Sequence, residues 1–384
     1  MRIGIFAASL AVRPGYEDIV SGHVQVPLQC ARLLADCGNE VHVVTSEYDR
    51  SAALPSMLSD AVHLHQVPYA SRRRDSLVSY IHAGAISPRL ARIRTINSLI
   101  RLARQERFDI FHFFGAAGTA NLAGLVRVGG SGCPVILTLN TGRLPKRSTF
   151  LRTALWRRID RILTTTEYFR RQLVENHKVT AFLLRHGAIR TLRVNSSATV
   201  RRTRVLFWRE ASPLNGGDIG VEVFRRLAPQ YPDVSFDFAV RPHRLQPQGV
   251  AELSRSLANI HLFTTPYSEG VSIEQLLAES ICVVQPFRGF TIQPQLSILE
   301  SMGAGATVVA TDIESTAEMI ESGFNGVVVP PDDPDAMAAA VESLLRDRDR
   351  AASMGRQAAE SAAKIWNWQS VASNLMNHYR EVMH

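Results

Sequence analysis

The residues best suited to chemistry cluster between Leu296 and Asp333, in the run LSILESMGAGATVVATDIESTAEMIESGFNGVVVPPDD. Pro294 suits the first turn of a helix, where its fixed φ is already helical and its missing N–H would have no partner. Glu300 falls about two turns into that helix, and Gly303 and Gly305 end it ahead of an apolar strand. The start of such a helix presents unpaired N–H groups and the positive end of a dipole, which together can hold a diphosphate. A carboxylate at Glu300 can accept from two vicinal hydroxyls at once. Arg209 follows the apolar run 204–208 (RVLFW), and its guanidinium offers a rigid fork of donors suited to phosphate oxygens.

Those side chains need a frame, and the chain supplies one by alternation. Residues 2–8 (RIGIFAA) and 41–45 (VHVVT) are short apolar runs. Between them Ser21-Gly22-His23-Val24 opens a helical spacing of Val24, Leu28, Ala31, Leu34 and Ala35 that stops at Cys37-Gly38-Asn39. Further strands are predicted at 63–67, 109–114, 134–138, 162–166 and 181–185. The alternation restarts with strands at 204–208, 234–240, 259–263, 281–285, 306–310 and 326–329, separated by helices at 217–229, 248–257, 272–280, 294–303, 314–322 and 333–346. Such a pattern predicts an α/β chain of two doubly wound parallel-sheet, Rossmann-like domains facing across a cleft. The expected domains are 1–193 and 194–367, with the polar stretch 191–202 as linker. A final helix, 368–384, is expected to pack back on the first domain. Ligands of open parallel sheets lie beyond the carboxyl ends of the strands, so the informative loops follow 2–8, 134–138, 204–208 and 281–285.

A chain of 384 residues exceeds what one core organises, in keeping with two domains. The net charge of +8 is uneven: residues 1–193 hold 27 Lys+Arg against 13 Asp+Glu, whereas residues 194–384 hold 16 against 22. The basic residues include Arg72-Arg73-Arg74, Arg89, Arg92, Arg101 and Arg143. Such a surface suits an acidic acceptor or, peripherally, an anionic membrane, or else is only a solvated face. Nucleic acid is not expected, because no stacking aromatics interleave with the arginines. The four cysteines have no metal-ligand spacing and are expected as buried reduced thiols. No run of eighteen uncharged apolar residues and no signal-peptide pattern is present, so a cytoplasmic protein is expected. Walker, Gly-x-Ser-x-Gly, His-Glu-x-x-His and Asp-x-Asp patterns are absent.

The run 296–333 resembles the donor-site signature of the family 4 glycosyltransferases, retaining enzymes of the GT-B fold. The resemblance extends from Ser21-Gly22, through Gly323-Phe324-Asn325-Gly326, to the helix after Trp366-Asn367-Trp368. It implies transfer of a sugar from a nucleoside-diphosphate donor, a UDP-sugar in the first instance, to a hydroxyl or amine on a small-molecule, glycan or lipid acceptor. No metal or other cofactor is implied. By resemblance Glu300 contacts the nucleotide ribose, Arg209 the donor phosphates, and Gly22 lets backbone approach phosphate or sugar. Gly289, Phe290, Ile292, Gln293 and Asn215 fall at further donor positions. Asn140 and His112 fall at catalytic ones, and Arg92, Arg101 and Arg143 on the acceptor side.

Three positions depart from that pattern. Ile292 stands where the family has its first glutamate, and Asn215 stands where it has a lysine before Gly216. Asn140 stands where many members have a histidine; an asparagine can orient a hydroxyl but cannot exchange a proton near neutral pH. Gln293, Gln295 and Arg288 lie close enough in sequence to compensate. The departures leave two readings: a transferase with an unusual donor, or a catalytically silent relative that binds a nucleotide or sugar as a partner subunit.

Overall fold

The computed structural model describes residues 1–12, 14, 22–46, 52–68, 88–145, 149–188, 202–241, 249–265 and 270–383. Ser21, Arg72-Arg73-Arg74, the side chain of Arg89 and the linker residues 191–201 lie outside the described residues. The chain divides into two units, Met1–Arg185 with Gln369–His384, and His186–Trp368.

The first unit is built on a seven-stranded parallel sheet ordered β3-β2-β1-β4-β5-β6-β7. Its strands are β1 (Arg2–Ala7), β2 (Glu40–Ser46), β3 (Val62–Val67), β4 (Ile110–Gly115), β5 (Val135–Leu139), β6 (Arg161–Thr164) and β7 (Phe182–Leu183). The central strands read as unbroken apolar runs because helices cover both faces. In β1 and β5 all but the first residue of β1 are buried. Connecting helices are α1 (Gly22–Asp36), α2 (Pro88–Gln105), α3 (Ala117–Val128), α4 (Phe150–Trp156) and α5 (Glu167–His177). The predicted strand 181–185 contracts to two residues.

The second unit carries a six-stranded sheet ordered β10-β9-β8-β11-β12-β13. Its strands are β8 (Arg204–Trp208), β9 (Ser235–Val240), β10 (Ile260–Thr264), β11 (Ser280–Gln285), β12 (Thr307–Thr311) and β13 (Val327–Val329). Its helices are α6 (Gly217–Leu227), α7 (Gly249–Ser256), α8 (Ile273–Ala278), α9 (Leu296–Gly303), α10 (Thr316–Met319), α11 (Pro334–Arg346) and α12 (Arg348–Ile365). Phe207, Phe224, Phe236 and Phe238 form the aromatic centre of this core, with ring centroids 4.6–5.5 Å apart. Helix α12 was not expected from the sequence. Asp347 ends α11 and caps α12, its carboxylate accepting from the Arg350 N–H at 2.9 Å, so one residue hides the junction of two helices.

The last helix, α13 (Val371–Met383), packs against α1 in the first unit. It is anchored by Tyr379, fully buried, and by Arg161, which bonds His378 at 2.9 Å and also Glu381. Of the cysteines, Cys30, Cys133 and Cys282 are buried as expected, whereas Cys37 is exposed in the turn after α1. No helix among the described residues is long and apolar enough to cross a membrane.

Candidate functional site

In the second unit the chain winds outward from β8 to β10 and then restarts at β11 in the opposite direction. The loops leaving β8 and β11 therefore diverge at their carboxyl ends, which is where open sheets of this kind bind ligands. Two contacts lock these loops together. Gly216 has φ +69°, and a Cβ on it would sit 1.9 Å from the Pro286 carbonyl oxygen, so the loop 209–216 can lie this close only with glycine there. Arg288 donates to the Pro213 carbonyl at 2.6 Å and to both Asp218 oxygens at 2.7 and 2.8 Å, and also pairs with Asp332.

That geometry corrects two expectations. Arg288 is held by two carboxylates, so its charge stabilises the loop and the first turn of α6 rather than replacing a lysine at the phosphates. Asn215 turns inward: it is buried and its amide donates to the Glu210 carbonyl at 2.9 Å, closing the turn. An asparagine at this place shapes the loop, where a lysine would reach out of it.

Arg209 leaves β8 at the switch point. Burial presses its pKa down to about 10, Arg241 acts in the same direction, and Glu300 and Glu210 oppose them. The guanidinium stays charged at neutral pH within electrostatic reach of Glu300. Glu300 is itself 5% exposed, on α9. The start of α9 follows Gln295, whose side chain makes no cap hydrogen bond and whose buried Oε1 has no partner. Helix N–H groups are thus left for a ligand. A buried chain of bonds sets the register of these parts. Ser297 on α9 donates to Gln285 Oε1 at 3.1 Å, and Gln285 Nε2 donates to the Trp208 carbonyl at 3.3 Å, one residue before Arg209.

The loop between β11 and α9 holds the other donor positions. Gly289 and Phe290 are buried, the Phe290 ring packing edge-on to Phe287 at 5.4 Å, and Ile292 is 3% exposed. Gln293 is completely buried and bonded at both ends of its carboxamide, to Glu314 and to the Ser315 hydroxyl. It therefore positions Glu314 rather than facing a sugar. Glu314 is half-buried, sits at φ +45° and also accepts from the Phe290 N–H at 3.4 Å. A carboxylate thus stands beside the loop in which Ile292 replaces one.

In the first unit Gly22 is buried at the start of α1. Asn140 follows β5 and is completely buried, yet neither its carboxamide nitrogen nor its oxygen has a hydrogen-bond partner. Leaving such groups unpaired costs about 1–3 kcal/mol each. His112 is corrected from a catalytic to a structural group. It is completely buried, with Nδ1 at 2.7 Å from the Tyr379 hydroxyl and Nε2 at 2.8 Å from the Thr138 hydroxyl. Burial holds its pKa down to about 3. It fastens α13 to the sheet, with both ring nitrogens engaged. His186 is likewise enclosed, stacked on Trp368 at 5.1 Å. Glu167 is paired with Arg170. Arg92, Arg101 and Arg143 are exposed. Arg92 and Arg101 lie nine positions apart on α2, roughly half a turn at 100° per residue, so they point to different sides of that helix.

Sequence reasoning missed Gln285, Ser297, Asp218 and Glu314. Gln285 was legible as the polar residue ending an apolar strand. Asp218 gave no signal, because its partner Arg288 is seventy positions away.

Residues 20–184 match the family described as Glycosyltransferase Family 4, and residues 202–347 match the one described as Glycosyl transferases group 1. The chain belongs to the family 4 glycosyltransferases. It is 24% identical over 181 residues to a phosphatidyl-myo-inositol mannosyltransferase of Mycolicibacterium smegmatis, covering 47% of this chain and 45% of that protein. It is 29% identical over 179 residues to a D-inositol 3-phosphate glycosyltransferase of Corynebacterium urealyticum, covering 44% and 41%. The chain thus spans less than half the length of these curated relatives. Among solved structures it resembles a glycosyltransferase from Rickettsia africae, with a TM-score of 0.71 at 14% identity over 100% of this chain and 98% of that one. It also resembles Anabaena HepE in complex with UDP-glucose, with a TM-score of 0.69 at 13% identity over 99% and 100%. At these identities the likeness carries the fold, the GT-B architecture of two Rossmann-like units.

Proposed function

We propose that the chain is a retaining glycosyltransferase that moves a sugar from a nucleoside diphosphate to a hydroxyl or amine acceptor without a metal. The observation that carries this reading is the convergence of Arg209, Glu300 and the uncapped start of α9 on the switch point between β8 and β11. In this reading α9 and Arg209 bind the diphosphate, and Glu300 accepts from the ribose hydroxyls. Glu314 supplies the carboxylate for the donor sugar that Ile292 does not. When the diphosphate departs and the acceptor enters on the same face, the leaving phosphate can take the acceptor's proton, so no protein base is required and Asn140 serves to orient an oxygen. UDP is the first nucleotide to test, since HepE binds UDP and UDP-glucose.

The acceptor is proposed to carry negative charge. Relatives are named for phosphatidylinositol and inositol 3-phosphate, and the first unit is the basic one. Phe150 and Leu151, 91% and 78% exposed at the start of α4, which also carries Arg152, favour an acceptor or surface with a lipid part. The test is a panel of UDP-, GDP- and dTDP-sugars screened first by thermal shift and then for donor hydrolysis. A ligand at a hundred times its Kd stabilises by roughly 2.7 kcal/mol. Binding without any turnover across the panel supports instead the silent partner subunit, a reading favoured by the inward turn of Asn215. No binding to any nucleotide overturns both.

A further inference from the structure

Strands β2 and β3 bring together residues that the sequence keeps apart and that sugar transfer does not use. In the parallel register His42 lies opposite His63, and Val44 lies opposite His65. The two-residue period therefore places Glu40, His42, His63 and His65 on one face of the sheet edge. Glu106, just after α2, reaches the same face. Phe108 follows it and packs on His42 with ring centroids 5.2 Å apart. This cluster is at the beginning of β2, away from the carboxyl ends of the strands where substrates are expected.

The hydrogen bonds fix the roles of the buried His42 and the half-buried His65. His42 Nε2 lies 3.1 Å from Glu40 Oε1, and a carboxylate only accepts, so Nε2 carries the proton. The lone pair of a neutral His42 is then on Nδ1, which faces His65 Nε2 at 2.8 Å. Glu40 is in turn held by the Arg2 guanidinium at 2.9 Å. That cation makes Glu40 a poor direct ligand for a second positive charge but a good orienter of His42. The Glu106 carboxylate has no hydrogen bond or ion pair among the described residues. His42, His65 and Glu106 each offer a ligand atom, and these atoms all lie within 4.8 Å of one another. Ligand atoms around a tetrahedral zinc with bonds of about 2.0–2.1 Å are separated by roughly 3.3 Å, so small side-chain rotations close the site.

We propose that His42 Nδ1, His65 Nε2 and Glu106 form a binding site for a zinc-class divalent cation, with Glu40 and Arg2 as the outer hydrogen-bonded support and a fourth position open to water. On binding, the proton of His65 moves from Nε2 to Nδ1, so no net proton is released. The ion ties the edge strand β3 to β2 and to the segment after α2. The arrangement of carboxylate, histidine and metal is one that second-shell partners commonly support.

The test uses the untagged full chain after dialysis against EDTA, titrated calorimetrically with zinc chloride at pH 7.5, with cobalt(II) absorption as a second readout. One equivalent should bind, with tetrahedral cobalt bands and a raised Tm. His65→Ala should weaken zinc at least 100-fold, and Glu40→Gln should weaken it about 10–100-fold, as removal of an outer partner does. Glu106→Gln, a substitution at a half-buried position that keeps the fold, should remove the cobalt bands. His63→Ala should leave the affinity unchanged. Absence of binding by the native chain at millimolar zinc overturns the proposal. So does binding that survives His65→Ala and Glu106→Gln together, or that is lost in His63→Ala while surviving Glu106→Gln.

Discussion

His112 and Tyr379 share a hydrogen bond of 2.7 Å across 267 positions of the chain, and both are completely buried. The contact joins the middle strand β4 to the last helix, α13. Tyr379→Phe removes the hydroxyl and leaves a buried ring nitrogen without its partner, at a cost of about 1–3 kcal/mol. Calorimetry should show a lower melting temperature for the first unit with nucleotide affinity unchanged. A loss of donor turnover without a loss of stability would return His112 to the chemistry.

The same histidine gives a pH prediction. Its folded pKa, about 3, lies below its ordinary value of 6.5, so the folded state binds fewer protons than the unfolded state between those values. Its contribution to stability is complete above about pH 6.5 and declines as pH falls towards about 3. His186 behaves alike in the second unit, with a pKa near 4. At pH 5 each such ring should cost about 2 kcal/mol relative to neutral pH. His112→Gln should flatten the fall in Tm of the first unit between pH 7 and pH 5; an unaltered slope would show that other groups set it.

Arg209→Ala should weaken a nucleoside diphosphate by about 2 kcal/mol, roughly 30-fold in Kd, since Asn215 and Arg288 are engaged within the loop. The free nucleoside should be nearly unaffected. Glu300→Ala should weaken nucleoside and nucleoside diphosphate alike. Calorimetry on the two ligands separates these patterns, and equal losses in both variants would exclude the assigned roles.

Glu314→Gly relieves a non-glycine residue at φ +45° but leaves the buried Gln293 amide without its acceptor, at about 1–3 kcal/mol, so Tm should fall. If its carboxylate faces the donor sugar, the variant keeps UDP affinity while discrimination among UDP-hexoses falls. Unchanged sugar preference would leave the side chain as support for Phe290 and Gln293 only.

Asn140→Leu replaces two unpartnered polar atoms by an apolar group of similar size and should stabilise the free first unit by about 1 kcal/mol or more. Acceptor use should fall by a larger factor than donor hydrolysis. A destabilised variant would mean that the carboxamide is satisfied in the free protein.

The sequence by itself determined the two parallel α/β units, because apolar runs of strand length alternating with helical spacing have few other solutions. It also determined that α9 would carry Glu300 and that Arg209 would directly follow β8, since both follow from position relative to a local element. Tertiary structure decided which polar groups are available to a ligand. Asn215, Gln293 and Arg288 lie at donor positions in sequence, yet each is turned into the protein by a partner brought near only on folding: the Glu210 carbonyl, Glu314 with Ser315, and Asp218 with Asp332. His112 reads as a strand-end histidine until Tyr379 arrives from the far end of the chain. The histidines of β2 and β3 became a cluster only through strand register, which sets opposite one another residues about twenty positions apart. Local pattern fixes where a side chain starts, but its hydrogen-bonding partners and its desolvation come from segments distant in sequence, and these decide its charge and its reach.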